Sequence, residues 1–369
     1  MNVTMPAPPR LPLAACAPAL LSLAACLPAP PVPRPPPAVR LVLTERWSGG
    51  GRLVVVDDAG DRQAVLVPPP PGPPTTTRDE QAAFSPDGQW IAFASTRGRD
   101  LDHTALWLVA ARVGATAVPL TDGGGGSDVA PTWTPDGAAL VFASDRAGTY
   151  DLYRLPIDRA HAAPAAPPQR LTDAPSQEVA ASVAPDGRIA AQVIELGLAP
   201  RSYLALVGAG GALEPLTDGP LDLTPAWAPD GRRLAYASGR LRDDGDEDTD
   251  VLVLDTARDR PPAVVADLAG TDERAPAWSS DGRWLFATSV APDEAGGARW
   301  SSVVVVDVHA PRFEPRMLRD HVGAIVRAGV ALAPGRLDEL ALLRAPAYAA
   351  ALAEALRELD EAATSEPAR

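Results

Sequence analysis

The stretch FSPDGQWIAFAS, Phe84 to Ser95, decides how the rest of the chain is read. Proline presets φ for the first position of a tight turn, aspartate caps the turn through its own side chain, and glycine accepts a positive φ. The turn feeds a run of β-branched, aromatic and small apolar residues with strand character. The phrase returns as WTPDGAALVFAS (133–144), VAPDGRIAAQV (183–193), WAPDGRRLAYAS (227–238) and WSSDGRWLFATS (278–289). A worn sixth copy, LAPGRLDELALL, starts at Leu332. The motif proline stands at 86, 135, 185, 229 and 334, with Ser280 in its place in the fifth copy, so the steps are 49, 50, 44, 51 and 54 residues. Periods of this size belong to solenoids or propellers, and the content of one unit decides between them.

The second unit is readable strand by strand. APTW (130–133) alternates small and large residues, TPDG turns, AALVFAS (138–144) is a second strand, DRAGTY turns, DLYRLPI (151–157) is a third strand and PQRLT (168–172) a fourth. Four short strands with turn residues between them and no helical periodicity describe one propeller blade. Before the first motif, residues 39–67 read as outer strands lacking an inner one. After the last full unit, residues 329–343 read as inner strands lacking outer ones. Joined, they complete a blade from both termini and remove an open sheet edge. The expectation is an all-β, six-bladed propeller of four-stranded blades, closed by both termini and followed by a short C-terminal helix.

The repeated phrase resembles the WD40-like repeat of the TolB-type β-propeller family. The resemblance covers residues 40–345 and concerns the propeller alone, without the additional α/β domain that TolB carries. It implies a non-enzymatic role in the cell envelope: recognition of a protein or small ligand at the channel face. Because the repeat also occurs in peptidases and polysaccharide lyases, a lyase or hydrolase with a channel-mouth active site is the alternative.

The motif aspartates themselves are hairpin parts. A different acid recurs seven residues before each motif proline (or Ser280): Asp79, Asp128, Glu178, Asp222 and Glu273, with Arg327 at the sixth copy. In a propeller the innermost strand begins there, so six such positions would ring one mouth of the channel. A ring of carboxylates focuses negative potential and would hold a basic peptide segment or a divalent cation such as calcium. The competing reading makes these acids architecture, paired between neighbouring blades with Arg46, Arg97, Arg146 and Arg240.

Other candidates are weaker. RDDGDEDTD (242–250) alternates aspartates but lacks the glycine and closing glutamate of an EF-hand loop, and reads as an exposed acidic hairpin tip. TDGGGGSD (121–128) lacks the Lys-Ser/Thr of a phosphate loop and reads as a flexible connection between blades. There is no G-x-S-x-G, and His103, His161, His309 and His321 show no metal spacing. Trp133, Trp227 and Trp278 read as packing between blades, whereas Trp47 and Trp300 fall outside the repeat and read as exposed aromatic contacts.

Composition bounds the partners. The formal charge is −14 and every basic residue is arginine, so a phosphate backbone would be repelled and no nucleic-acid partner is expected. Residues 1–26 read as a lipoprotein-type signal segment: an apolar stretch too short to span a bilayer ends in LAAC, which resembles a lipobox with lipidation at Cys26. Residues 27–39 are a proline-rich tether. The tail 346–369 carries Leu352, Leu356 and Leu359 on one helical stripe that would dock on the propeller. Together these features predict an exported monomer, membrane-anchored through its lipid and facing the periplasm or cell exterior. An envelope protein or small ligand is its partner, and no obligatory cofactor is expected.

Overall fold

The computed structural model describes residues 40–47, 50–56, 62–70, 77–100, 102–239, 248–258, 260–268, 270–292, 298–317 and 326–334. The signal segment with Cys26, the tether, Arg240, His321 and the C-terminal tail lie outside the described residues.

Among the described residues every element longer than three residues is a strand. The chain opens with β1 (Leu41–Trp47), β2 (Gly50–Val56) and β3 (Arg62–Val65). The first full unit is β4 (Asp79–Phe84), β5 (Trp90–Ser95), β6 (Ala105–Ala110) and β7 (Val118–Pro119). The second is β8 (Asp128–Trp133), β9 (Ala139–Ser144), β10 (Asp151–Asp158), β11 (Ala163–Pro164) and β12 (Gln169–Arg170). The third is β13 (Gln177–Val183), β14 (Ile189–Glu195), β15 (Arg201–Val207) and β16 (Leu213–Pro215). The fourth is β17 (Leu221–Trp227), β18 (Arg233–Gly239), β19 (Thr249–Asp255) and β20 (Ala263–Ala266). The fifth is β21 (Asp272–Trp278), β22 (Trp284–Pro292), β23 (Ala298–Asp307) and β24 (Arg316–Met317), and the last strand is β25 (Val326–Leu332).

Each full unit is an antiparallel meander. Both β11 and β12 pair with β10, and a single parallel bridge from Ser202 to Leu221 joins the third and fourth units into one eight-stranded sheet. The first and last strands of the described residues share a sheet, ordered β25-β1-β2-β3. Thus β1 has a partner along both edges, with Leu41 opposite Val56 on one side and Leu332 on the other.

The second strand of each unit is the most deeply buried. Its FAS, YAS or FATS run places Phe93, Phe142, Tyr236 and Phe286 out of contact with water. Burying a side chain of that size stabilises the fold by about 1.5–3 kcal/mol. The apolar clusters lie between units. Trp133 and Phe142 of the second unit pack with Ala92, Leu106 and Leu108 of the first. Trp227 and Tyr236 of the fourth pack with Ala184, Ala190 and Leu204 of the third. Phe286 and Val303 of the fifth unit pack with Leu41 and Val54. The inner strands β4, β8, β13, β17, β21 and β25 touch in that order, and β25 also touches β4. Among the described residues no helix is long and apolar enough to cross a membrane. The architecture is all-β and consistent with a propeller.

Candidate functional site

The five repeated acids stand at the first or second position of their inner strands, and all are at most 2% exposed. Register explains their partners. Asp79, Asp128, Asp222 and Glu273 lie opposite serines near the ends of the second strands, Ser95, Ser144, Ser238 and Ser289. Ser95 donates to Asp79 at 2.6 Å, Ser238 to Asp222 at 2.6 Å and Ser289 to Glu273 at 2.8 Å. Glu178 faces Val193 in register and instead accepts from Ser176 at 2.6 Å. Arg97 grips both oxygens of Asp79, and Arg146 donates to Asp128 at 2.7 Å. These ion pairs form within one unit, not between neighbours as the sequence suggested. Arg97 does reach back, donating to the Pro68 carbonyl at 2.8 Å, while Arg46 turns to Glu80 at 3.4 Å.

In the sixth set the polarity is reversed. Arg327 on β25 lies opposite Glu45 on β1. Glu45 is buried and accepts from Arg52 Nε at 2.6 Å; the Arg327 side chain lies outside the described residues. Burial dominates the electrostatics of two of the acids. It raises Glu178 above the ordinary carboxyl range, and it lifts Glu273 to about 8 against the hydrogen bonds from Thr271 and Ser289. The acids therefore occupy the inner-strand positions that the spacing indicated, but buried at the strand ends, where Asp79, Asp222 and Glu273 bond the second strand directly and Asp128 is held by Arg146 just beyond it. Among the described residues no three His, Cys, Asp or Glu side chains converge as a metal site would require.

A cavity of about 550 Å³ opens a few residues further along the same strands. Its wall is made by residues such as Val129 to Thr132, Val179 to Ser182, Thr224 to Ala226, Ala275 to Ala277 and Gly329 to Ala331. None of the five buried acids lines it, and its described lining carries no charged side chain. Polar character comes from Thr44, Gln81, Thr132, Tyr150, Ser182, Gln192 and Thr224.

The wall is built from bulges. In β4, β8, β17 and β21 two residues oppose one on the second strand, directly after the acid and its neighbour. The first bulged residue is left-handed although it is not glycine: Gln81 at φ 56°, Ala130 at 50°, Thr224 at 47° and Ala275 at 51°. Such a conformation costs of order 1–3 kcal/mol per residue and persists only where surrounding structure imposes it. Proline follows in three of the four (Pro131, Pro225, Pro276), where a missing N–H does no harm to the ladder. Two side-chain amides, in the first and third units, each cap a bulge in the unit that follows: Gln81 Oε1 accepts from the Ala130 N–H at 2.8 Å, and Gln192 Oε1 from the Thr224 N–H at 3.1 Å. These wall residues escaped the sequence reading, which took APTW as simple alternation. The proline inside an inner strand was the available signal, because proline within a sheet marks an edge or a bulge.

The Pro-Asp-Gly turns behave as hairpin parts. Asp136 Oδ1 accepts from the Thr134 hydroxyl at 2.6 Å and the Ala138 N–H at 3.0 Å, and the hydroxyl contact holds its carboxyl below the usual range. The glycines take positive φ, 70° at Gly88 and 65° at Gly137. They also serve as contacts between units. A Cβ on Gly88 would meet Pro334 at 3.1 Å, one on Gly137 would meet Pro86 at 3.5 Å, one on Gly231 Pro185 at 3.5 Å, and one on Gly282 Pro229 at 3.6 Å.

The remaining candidates divide. Trp133 and Trp278 sit between units, donating to the Ala83 carbonyl at 3.1 Å and the Ala226 carbonyl at 3.0 Å. Trp47 is not an exposed contact: it is half-buried, folded over Gly50 and under the Arg52 guanidinium at 5.3 Å. The Trp300 side chain lies outside the described residues. In the acidic hairpin, Asp248 and Asp250 are buried rather than exposed, and Asp244 and Asp246 lie outside the described residues. The tetraglycine segment links the first unit to the second, with Arg99 donating to the Gly126 carbonyl at 2.9 Å. His103 and His161 each contact an exposed aspartate, Asp100 and Asp158, at 2.6 Å.

Comparison with known proteins agrees with this geometry. Residues 75–281 match the family model described as the TolB beta propeller domain. The structure of TolB from Acinetobacter baumannii is similar with a TM-score of 0.59 at 19% identity, over 82% of this chain and 68% of that one. A second TolB-type structure, from Agrobacterium tumefaciens, gives 0.52 at 16% identity, over 80% and 99%. Lipoprotein LpqB of Nocardia farcinica is 32% identical over 134 residues, 31% of this chain, and the match spans only 21% of that relative's length.

Proposed function

We propose, from the premise that this chain belongs to the TolB β-propeller domain family, that it is a six-bladed propeller binding an uncharged ligand or uncharged protein segment in its central cavity, without transforming it. Closure by both termini is supported by the pairing of β25 with β1, by the contact of β25 with β4, and by the seat of Pro334 against Gly88. The observation that carries the function is the cavity wall: small apolar residues with hydroxyl and amide groups and no charge among its described lining. A wall of that kind gains nothing from an ion stripped of its water, and favours neutral groups that can hydrogen-bond at a few points.

The protein is exported and anchored through Cys26, a reading supported by the LAAC sequence and by the relative named as a lipoprotein. It works as a monomer at an envelope surface, and its charge of −14 keeps nucleic acid away. The test is a thermal-shift screen with short uncharged peptides and neutral oligosaccharides. A ligand at a hundredfold excess over its Kd stabilises by about 2.7 kcal/mol, so a binder shows as a raised Tm. Ala180→Trp, which fills the cavity from β13, should erase the shift while the free protein still melts cooperatively. A shift that survives this substitution, or no shift across the panel, sinks the proposal.

A further inference from the structure

The junctions between successive units are not alike. Between the first and second units, Pro86 lies against Gly137, Arg159 pairs with Asp87, and Trp133 donates to the Ala83 carbonyl. Between the third and fourth, Pro185 lies against Gly231 and Arg188 stacks over Trp227 at 4.7 Å. Ser202 Oγ adds a bond to the Asp222 carbonyl at 2.7 Å. Between the fourth and fifth, Pro229 lies against Gly282 and Arg233 stacks over Trp278 at 4.8 Å.

The junction between the second and third units, all of whose residues are described, has a different make-up. Val183 stands where Trp133, Trp227 and Trp278 stand in other units. No atom comes within 4 Å of the place where a Cβ on Gly187 would sit, so the proline-to-glycine contact is missing. The buried apolar set is small, Ala143, Leu152 and Ala191. A backbone bond from the Glu178 N–H to the Tyr150 carbonyl at 2.8 Å crosses it.

What this junction does contain is buried carboxyl. Asp151 on β10 and Glu178 on β13 are both 0% exposed, on opposite sides of the boundary. Asp151 takes one bond from Arg170 at 2.7 Å, and Arg170 is shared with the exposed Asp173 at 2.6 Å. The surrounding ionisable groups are Tyr150, Tyr153, Asp145 and the Asp128–Arg146 pair from the second unit, and Tyr203 with Glu195 and Arg201 from the third. Tyr150 on one side, with Val179, Ser182 and Gln192 on the other, lines the cavity. Separating these two units would therefore uncover it.

We propose that the junction between the second and third units is the one that opens, giving the cavity a side entrance. It lacks both the tryptophan and the proline-to-glycine seat found between the first and second, third and fourth, and fourth and fifth units, and its buried acids give the opening a pH dependence. Burial raises both Asp151 and Glu178, with the Asp173 charge adding to the rise of Asp151 and the Asp151 charge to that of Glu178, so the closed junction holds protons that the open one releases. The sign follows: closure is favoured at low pH and weakens as pH rises through the raised values.

Hydrogen exchange on the full chain, read by mass spectrometry and corrected for intrinsic rates, tests this without any ligand. Failure here leaves the binding reading of the cavity standing, and a failed binding screen leaves this opening untouched. Amides of β13 should exchange roughly ten-fold faster than those of β8 and β17, with the gap wider at about pH 8, above the raised range, than at about pH 5, near the ordinary carboxyl range. Glu178→Gln should reduce the widening, and Glu178→Gln combined with Asp151→Asn should remove it while keeping the gap. Equal or slower exchange in β13 of the wild-type protein overturns the proposal, and so does a widening that persists undiminished in the double variant.

Discussion

Glu273 shows how much one side chain can weigh on this fold. Its carboxyl accepts from two hydroxyls and one distant amide, and carries a raised value of about 8 because burial outweighs them. Between the ordinary carboxyl range and that value, the unfolded chain is ionised while the folded chain keeps its proton. Stability should therefore fall as pH rises across that window, by up to about 1.4 kcal/mol per pH unit from this group, and level off above it. Glu273→Gln should flatten the slope and melt higher than wild type near pH 8, with little difference near pH 5. Denaturant unfolding across that range checks it, and an unchanged slope would count against the buried, protonated carboxyl. The acids were legible as a set because their spacing follows the repeat. Their burial was not, because offset along a strand says nothing about depth. The serine and arginine of the S-x-R phrase were on the page too. Only the register shows that Ser95 and Arg97 close on Asp79 of their own unit.

An inner strand here is a short ladder, a bulge and a second short ladder. The first ladder fixes the acid, the bulge makes the cavity wall, and the last residue packs against the neighbouring unit. The last of these admits a paired test. Trp278 donates its indole N–H to the Ala226 carbonyl, whereas the indole nitrogen of Trp227 is buried with no acceptor among the described residues. Replacement by phenylalanine removes a bond in one case and an unsatisfied donor in the other. Trp278→Phe should cost about 1 kcal/mol more than Trp227→Phe. Equal losses in chemical denaturation would mean that the hydrogen bond contributes nothing beyond packing. The strands were readable from the runs after each turn, and the packing role of these tryptophans from their place in the repeat. The bulges hid because alanine, proline and threonine carry no pattern that separates a bulge from alternation.

At the scale of the whole molecule, the ends decide whether the sheets have an open edge. β25 supplies a partner for β1 and adds Val330 and Leu332 to the cluster with Leu41 and Leu43. A chain ending after Met317 would leave β1 unpaired on one side, an exposed edge of strongly β-forming residues. It should unfold at lower denaturant and self-associate in light scattering. A stable monomer would count against β25 as the strand that covers this edge. That the two ends make one sheet was legible, because each end was short of the strands the other carried. The unequal junctions were not, since they depend on which turn meets which. One consequence concerns interchange. Where the proline of one turn rests on the glycine of the next, each unit brings half of the joint on either side of it. Any two units with the full motif could then be exchanged or copied in tandem without redesigning the seam. The second and third units break that rule, so a duplication or swap across their boundary would have to carry both partners together.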